Sequence, residues 1–355
     1  MMCFPPYNPA FLLKNGVAMT VYTALWGSRY WQNTIQHPEP KYHKTVVNGG
    51  HGVPIFCWVA IPEKARGTII ATYGITGELG REWFLRLFGR KAYAAGYAVM
   101  LFDWRGHGKT AELSPTLTSD GLYEGEDFVC LAAAAASMGC PKQFWFVGFS
   151  LGGQLALWGQ KAAMDLTSSD RDLGIKFSDI GGSAVICPNL DSVRSLSYLV
   201  KDPFGRYFEA AITKNLKKLA WRIHDAHPGS LDPEAIQRAN SIWNFDKELV
   251  IERLGFPSVE AYYQASSALP LLPHLSKPTL IVYAADDPFF HPAIIPELES
   301  ASKSNPMIDL LLTRYGGHIG YLNSKAGQRQ AQDPDPWWAW NRVLQWIEHQ
   351  RLSHP

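Results

Sequence analysis

The stretch KQFWFVGFSLGGQLALWG, residues 142–159, changes character at one serine. The residues before Ser150 are apolar and β-rich, and those after it are small and follow a helical pattern. Gly148, Ser150 and Gly152 form the pattern G-x-S-x-G, and a strand before it and a helix after it place such a serine at a tight corner. There its oxygen stands near a helix N-terminus, which favours negative charge. A serine that merely caps the helix is the alternative, and we favour the nucleophile.

Apolar runs of strand length alternate with helical patterns on both sides of this corner. The predicted strands are residues 53–61, 67–74, 97–104, 142–149, 178–187, 278–285 and 307–315. Strands that are apolar on both faces and separated by helices predict an α/β fold, with a mostly parallel sheet and helices on both faces. The first two strands are too close in sequence for a helical crossover, so we expect them to pair antiparallel with each other.

The alternation stops after the fifth strand, where helix follows helix. Asp202 and Asp232 each precede a proline, which is typical of an N-cap followed by proline at the first helical position. We interpret this region as a helical cap inserted between two strands. The predicted domains are an N-terminal arm packing on the core (1–45), an α/β core (46–188 and 276–355) and the helical cap (189–275).

Composition excludes some classes of partner and favours one compartment. The 355 residues carry a formal net charge of +1, which argues against nucleic acid as the main partner. The five cysteines, Cys3 among them, are scattered without a CxxC pair, which favours free thiols in a reducing compartment. No apolar run is long enough for a transmembrane segment, and the N-terminus does not resemble a signal peptide. We therefore expect a soluble cytoplasmic protein.

A nucleophilic serine needs a base and an acid that orients the base. On a parallel sheet, both should follow the C-terminal ends of later strands. Asp286 and Asp287 follow the strand 278–285, and His318 follows the last predicted strand. We favour Asp287 because it lies further beyond the strand end, and we interpret Asp286 as a turn residue. His107, in DWRGHG, is interpreted as structural.

Two backbone N–H groups are the candidates for binding the oxyanion of a tetrahedral intermediate. One belongs to Leu151, the residue after the serine. The other is assigned to Ile75, in the glycine-containing loop YGITG after the second predicted strand. An ordinary glycine turn is the alternative for this loop.

With these motifs the chain resembles the α/β-hydrolase superfamily, and most of all its YheT-like branch. KNGVAMT (residues 14–20) is similar to an N-terminal NGHxQT element of the branch, with Val17 and Met19 substituted, and YGITG is similar to its HGxxG loop, with Tyr73 in place of histidine. DWRGHG, GFSLGG, GGHIGY and the segment from Asp246 to the two acids also match. The resemblance implies a triad of Ser150, Asp287 and His318, with activity on acyl esters of lipid or medium-chain type.

The expected function is that of a serine esterase that forms an acyl-enzyme and needs neither metal nor cofactor. The expected partner is a small-molecule ester, with a lipid as one option. A thioesterase or acyltransferase on the same fold is an alternative, and so is a non-catalytic lipid-binding protein. Lys214, Lys217 and Lys218 could contact a membrane peripherally, although a solvated face is favoured. Most cap aromatics are expected to pack on the core and some to line an acyl pocket: Tyr198, Phe204, Tyr207, Phe208, Trp221 and Trp243.

Overall fold

One sheet organises the chain. The structure, a computed structural model, describes residues 4–167, 173–201 and 203–353, so Cys3 and Asp202 lie outside the described residues. Within these residues the strands are β1 (His43–Asn48), β2 (Pro54–Ala60), β3 (Thr68–Thr72), β4 (Ala98–Asp103), β5 (Phe144–Phe149), β6 (Ile180–Ile186), β7 (Thr279–Ala284) and β8 (Ile308–Thr313).

Helices connect these strands, and many lie between β6 and β7. They are α1 (Gly16–Tyr22), α2 (Ser28–Tyr30), α3 (Trp83–Ala94), α4 (Thr110–Leu113), α5 (Glu124–Ser137), α6 (Leu151–Ala163), α7 (Ser192–Leu199), α8 (Pro203–Ala226), α9 (Pro233–Arg238), α10 (Ile242–Phe245), α11 (Ile251–Leu254), α12 (Val259–Ser266), α13 (Ile294–Ser304), α14 (Lys325–Ala331) and α15 (Trp338–Ser353).

The sheet has the strand order β1-β2-β4-β3-β5-β6-β7-β8. All pairings from β4 to β8 are parallel, while β1 with β2 and β2 with β4 are antiparallel. Every residue of β3, β4, β5 and β7 is buried, because helices cover both faces. The predicted α/β class and mostly parallel sheet are therefore confirmed.

The predicted pairing of the first two strands is wrong. β2 pairs with β4, for example Trp58 with Leu101, and β4 separates it from β3. A short connection limits how far apart two strands lie but does not make them neighbours. The other neighbour of β2 is β1, which the sequence analysis missed, since Val47 is its one buried residue and it has no apolar run.

Between β6 and β7 the described residues form a helical layer. The Asp232 side chain accepts the N–H groups of Glu234 and Ala235 at the start of α9, as expected of an N-cap before proline. In α8, Leu216, Leu219 and Ile223 are buried in an apolar cluster separate from the main core. The division into cap and core stays a prediction.

The two ends of the described chain pack on the core. The tryptophans of α15 are buried, and the rings of Trp340 and Trp346 lie 5.9 and 5.7 Å from those of Phe149 and Trp145 on β5. Residues 16–30 form a helical run in which the π-turn Thr23–Gly27 joins α1 and α2. Among the described helices, none has both the length and the apolar character needed to cross a bilayer.

Candidate active site

Ser150 occupies the corner between β5 and α6. Its backbone has φ 54° and ψ −125°, a strained conformation for a residue with a side chain. The flanking glycines are required by close approach, because a Cβ at Gly148 would lie 1.9 Å from the carbonyl oxygen of Gly152. A Cβ at Gly152 would lie 2.2 Å from the carbonyl oxygen of Tyr73. The corner therefore presents the serine oxygen beside the first turn of α6.

His318 connects Ser150 to Asp287. Its Nε2 lies 2.9 Å from the Ser150 Oγ, and its Nδ1 lies 2.9 Å from the Asp287 Oδ2. When Nδ1–H donates to the aspartate, Nε2 is left to accept the serine hydroxyl proton. The three predicted triad residues thus meet at the C-terminal edge of β5, β7 and β8.

Two phenylalanines fix the imidazole ring. The ring of Phe289 stacks on that of His318 at 4.4 Å between centroids, and Phe290 meets it edge-on at 5.1 Å. The Phe289 N–H donates to the Asp287 Oδ1 at 2.9 Å, so the aspartate is held from its other oxygen. The sequence analysis did not identify this pair, although it directly follows Asp287 and Pro288.

The neighbouring acid, Asp286, binds the backbone beside His318 instead of its ring. Its Oδ1 accepts the Gly317 N–H at 2.9 Å, and burial raises the pKa of its carboxyl. The His318 N–H donates to the Thr20 Oγ1 at 2.8 Å, so a helix from the N-terminal segment also holds this loop. Gly317 has φ 56°, and a Cβ there would lie 2.4 Å from the carbonyl oxygen of Gly16.

The loop after β3 lies against the serine from the opposite side. A Cβ on Gly74 would lie 2.9 Å from the Ser150 Cβ. The Leu151 N–H opens α6, where it has no acceptor within the helix. Ile75 and Leu151 both line the cavity at Ser150. Their role as oxyanion donors stays a prediction.

Asp103 and His107 hold that loop in place. Tyr73 Oη and the Leu79 N–H donate to the Asp103 Oδ1, at 2.5 and 2.9 Å. The Thr76 N–H donates to the His107 Nε2 at 3.0 Å. Tyr73, which stands in place of a histidine in the branch, is therefore an anchor of the loop.

His107 is an acceptor with a fixed tautomer. Its ring stacks on Trp104 at 3.5 Å, and its Nδ1 lies 3.0 Å from the carbonyl oxygen of Arg105. Burial lowers the pKa of His107 to about 3, so the ring is neutral at ordinary pH. Nδ1–H therefore donates to Arg105, and Nε2 is free to accept from Thr76. The sequence analysis interpreted His107 as structural but did not identify this contact.

A cavity of about 120 Å³ opens beside Ser150. Its apolar lining consists of Ile75, Leu151, Leu196, Leu199, Ile212, Leu216, Ile242, Phe245, Phe289 and Phe290. Among the described residues of 189–275, aliphatic side chains and Phe245 supply the apolar part of the lining, and none of the six aromatics, of which some were expected to line an acyl pocket, takes part in it. Phe208, for example, packs against Phe289 at 5.0 Å between ring centroids.

The lining of this cavity also includes the polar residues Asp120, Asp246 and Tyr263. Tyr263 Oη donates to the Asp246 carboxyl. Burial, with the nearby Glu124 charge, raises the pKa of Asp120 to about 7. Burial and the Asp120 charge raise the pKa of Asp246 well above its usual range.

The Cys187 thiol lies behind the triad. Potential metal ligand atoms of Cys187, Asp287 and His318 lie within 4.8 Å of one another. Burial raises the pKa of the thiol well above its usual range, which makes it a poor ligand. The Asp287 and His318 atoms are already engaged with each other, so the donor set fits a proton relay better than a metal centre.

The parallel sheet, the serine corner and the Ser-His-Asp contacts define the class of α/β-hydrolases. The chain belongs to the alpha/beta hydrolase family, whose model matches residues 72–332. It is 53% identical to "Putative esterase slr0264" of Synechocystis sp., over 99% of this chain and 96% of that protein. It is 30% identical to "Putative esterase YheT" of Escherichia coli, over 57% of this chain and 54% of that protein. These matches confirm the resemblance to the YheT-like branch.

A solved structure shows the same fold at low sequence identity. The Pyrococcus furiosus esterase Pf2001 superposes with a TM-score of 0.52 at 17% identity, covering 87% of this chain and 92% of its own. At this identity the likeness concerns the fold alone. The relatives and the family together indicate an esterase or a related hydrolase.

Proposed function

We propose that the protein is a serine hydrolase that cleaves carboxylic acyl esters through Ser150, His318 and Asp287. The continuous hydrogen-bonded chain from the Ser150 Oγ through both nitrogens of His318 to Asp287 carries this proposal. His318 takes the hydroxyl proton as the serine oxygen attacks the ester carbonyl. Asp287 holds the ring in the required tautomer and stabilises its charged form.

The reaction proceeds in two steps. The Ser150 Oγ bonds to the carbonyl carbon, and the N–H groups of Ile75 and Leu151 stabilise the developing oxyanion. The alcohol leaves with the proton that His318 returns to it, and an ester links the acyl group to Ser150. Water, deprotonated by His318, then releases the acid.

The substrate we propose is an ester with an apolar acyl chain of lipid-like or medium length. The apolar lining beside Ser150 supports it, because an acyl chain gains about 0.8 kcal/mol for each CH₂ removed from water. "Phospholipase ABHD3" of Mus musculus, 27% identical over 74% of this chain, is a relative whose name refers to a lipid substrate.

A fluorophosphonate probe with Ser150→Ala as the blank tests the nucleophile. We expect wild type to be labelled and the variant not, and ester turnover to fall by about 10⁴- to 10⁶-fold in Ser150→Ala. Equal labelling of both proteins would refute the assignment.

A panel of p-nitrophenyl esters of increasing acyl length then tests the substrate class, with turnover expected to rise from acetate towards medium chains. Faster turnover of matched thioesters would favour a thioesterase, and ester products formed with added alcohols would indicate an acyltransferase. No labelling and no turnover would leave a binding protein.

A further inference from the structure

The helical run of residues 16–30 has an apolar stripe on its outer side. Five residues recur at spacings of three and one, as on one helical face. We call them the outer stripe: Tyr22, Leu25, Trp26, Arg29 and Tyr30. Leu25 is 60% exposed, and Trp26 and Tyr30 are also exposed. The rings of Tyr22 and Trp26 lie 5.1 Å apart and those of Trp26 and Tyr30 lie 5.5 Å apart, so they form one continuous surface.

The fold does not need this stripe. A different face of the same run, with Met19, Thr23 and Gly27, is buried. Large apolar side chains gathered on a surface usually mark a place of interaction. The turn just before the run adds Phe11 and Leu12, which are 84% and 81% exposed.

The charged residues of the segment that carries the stripe, residues 4–38, have one sign. Lys14 and Arg29 are exposed, and the first acidic residue of the sequence is Glu39. Exposed tryptophan and tyrosine favour the boundary between lipid headgroups and acyl chains. Cations beside them attract anionic headgroups, at about 1 kcal/mol for each lysine or arginine.

We propose that the outer stripe, together with Phe11 and Leu12, docks on the surface of an anionic lipid bilayer. Apolar and aromatic side chains enter the headgroup region, and Lys14 and Arg29 contact the headgroups. This surface differs from the one considered in the sequence analysis, the lysines of α8, where Lys217 instead bonds the carbonyl oxygen of Gln237. The buried face of the run carries Thr20, whose hydroxyl accepts the His318 N–H. The docking surface and the contact to the histidine loop therefore lie on two faces of the same helical run.

Co-sedimentation with vesicles tests this proposal on the whole chain. Wild type should bind vesicles of phosphatidylcholine mixed with phosphatidylglycerol more tightly than vesicles of phosphatidylcholine alone. The double variant Leu25→Ser, Trp26→Ser should lose about 10-fold or more in binding, from the lost burial of two large side chains. Arg29→Gln should lose about 5-fold, on the anionic vesicles only.

Tyr207→Ser is the matched control, because Tyr207 is 71% exposed on α8 and lies outside the outer stripe. It should bind like wild type, and thermal melting should show that all variants are folded. Hydrolysis of a water-soluble ester should be unchanged in the outer-stripe variants. Vesicle binding without any ester hydrolysis would refute the proposed function but leave the docking proposal standing.

Three results would overturn the docking proposal. They are no binding of wild type to either vesicle, equal binding of wild type and the double variant, and equal loss in the Tyr207→Ser control. A second copy of this chain is the competing occupant. If wild type sediments as a dimer that the double variant abolishes, and neither binds vesicles, the outer stripe is a self-association surface.

Discussion

The two loops that flank Ser150 are held in different ways. The loop of residues 73–79 is fixed by two buried residues: Asp103, the last residue of the neighbouring strand β4, and His107, which follows that strand. The loop around His318 is held by Asp286, from the adjacent strand end, and by Thr20, which lies 298 residues earlier in the chain. The first loop depends on the core, and the second depends partly on a surface segment.

This difference predicts that the two loops differ in how easily they rearrange. Buried groups with all their hydrogen bonds made cannot rearrange without a large cost in free energy. A helix on the surface can shift at a lower cost, so we expect the histidine loop to be the more adjustable of the two. Substitutions of the residues around each loop test whether the two loops differ in how firmly they are held.

The largest effect is expected at Asp287, the acid that accepts the His318 Nδ1–H. Asp287→Asn removes the charge that sets the tautomer of His318 and should lower kcat by about 10⁴-fold. Asp286→Asn is the matched control, since it keeps an acceptor for the Gly317 N–H, and should lower kcat by less than about 10-fold. Steady-state kinetics on one soluble ester decides between them, and a larger loss in Asp286→Asn would reverse the assignment.

A second test concerns the buried anchor of the other loop. Burial raises the pKa of Asp103 to about 6 in the folded protein, above its usual value when unfolded. Between about pH 4 and pH 6 the folded state therefore binds more protons than the unfolded state, and this contribution to stability falls as pH rises.

Asp103→Asn should remove that dependence. The difference in unfolding free energy between wild type and variant should shrink by about 2 kcal/mol from pH 4 to pH 7, as measured by urea titration. Glu63→Gln, on an exposed turn, controls for general charge effects. A constant difference across this range would show that Asp103 is not the group that titrates.

Substitution of His107 tests whether its Nε2, the acceptor of the Thr76 N–H, holds the loop of residues 73–79 in place. His107→Phe can keep the stacking on Trp104 but leaves the Thr76 N–H without its acceptor. We expect kcat to fall by about 10- to 100-fold with little change in KM, because the loop donors are displaced. His107→Gln, whose amide oxygen can accept, should recover most of the loss.

The pH profile adds a check on this interpretation. The pKa of His107 is lowered to about 3, so the ratio of wild-type to variant kcat should be constant through the neutral range. A ratio that changed around pH 6–7, near the usual histidine pKa, would mean that the ring titrates and acts directly in the reaction.

The smallest effect is expected at Thr20. Thr20→Val keeps the shape but removes the acceptor of the His318 N–H, which should lower kcat by about 3- to 10-fold. Thr20→Ser keeps the hydroxyl and should remain near wild type. A loss in Thr20→Val that exceeded the loss in His107→Phe would contradict the contrast between the two loops.

Much of the fold could be predicted because its signals are local. Each strand of the parallel part is a short apolar run, and Ser150, Asp287 and His318 each directly follow one of these runs. Because parallel strands end at one edge, their positions in sequence were enough to predict that they meet.

The remaining features depend on contacts between distant residues. β1 lies at the edge and carries no apolar run, so its pairing with β2 had no local signal. The acid pair Asp120 and Asp246 is brought together only by the way the helical layer covers the sheet. The contact of Thr20 could have been suspected, since Thr20 ends the KNGVAMT element by which the chain resembles the branch.

The contact between Thr20 and His318 has a practical consequence for gene design. A fragment trimmed to residues 72–332, the part that the family model matches, would lack Thr20 and β2. β4 would then become an unpaired, apolar edge, which invites aggregation. Keeping residues 14–60 in such a fragment preserves both the Thr20 contact and the pairing of β2 with β4.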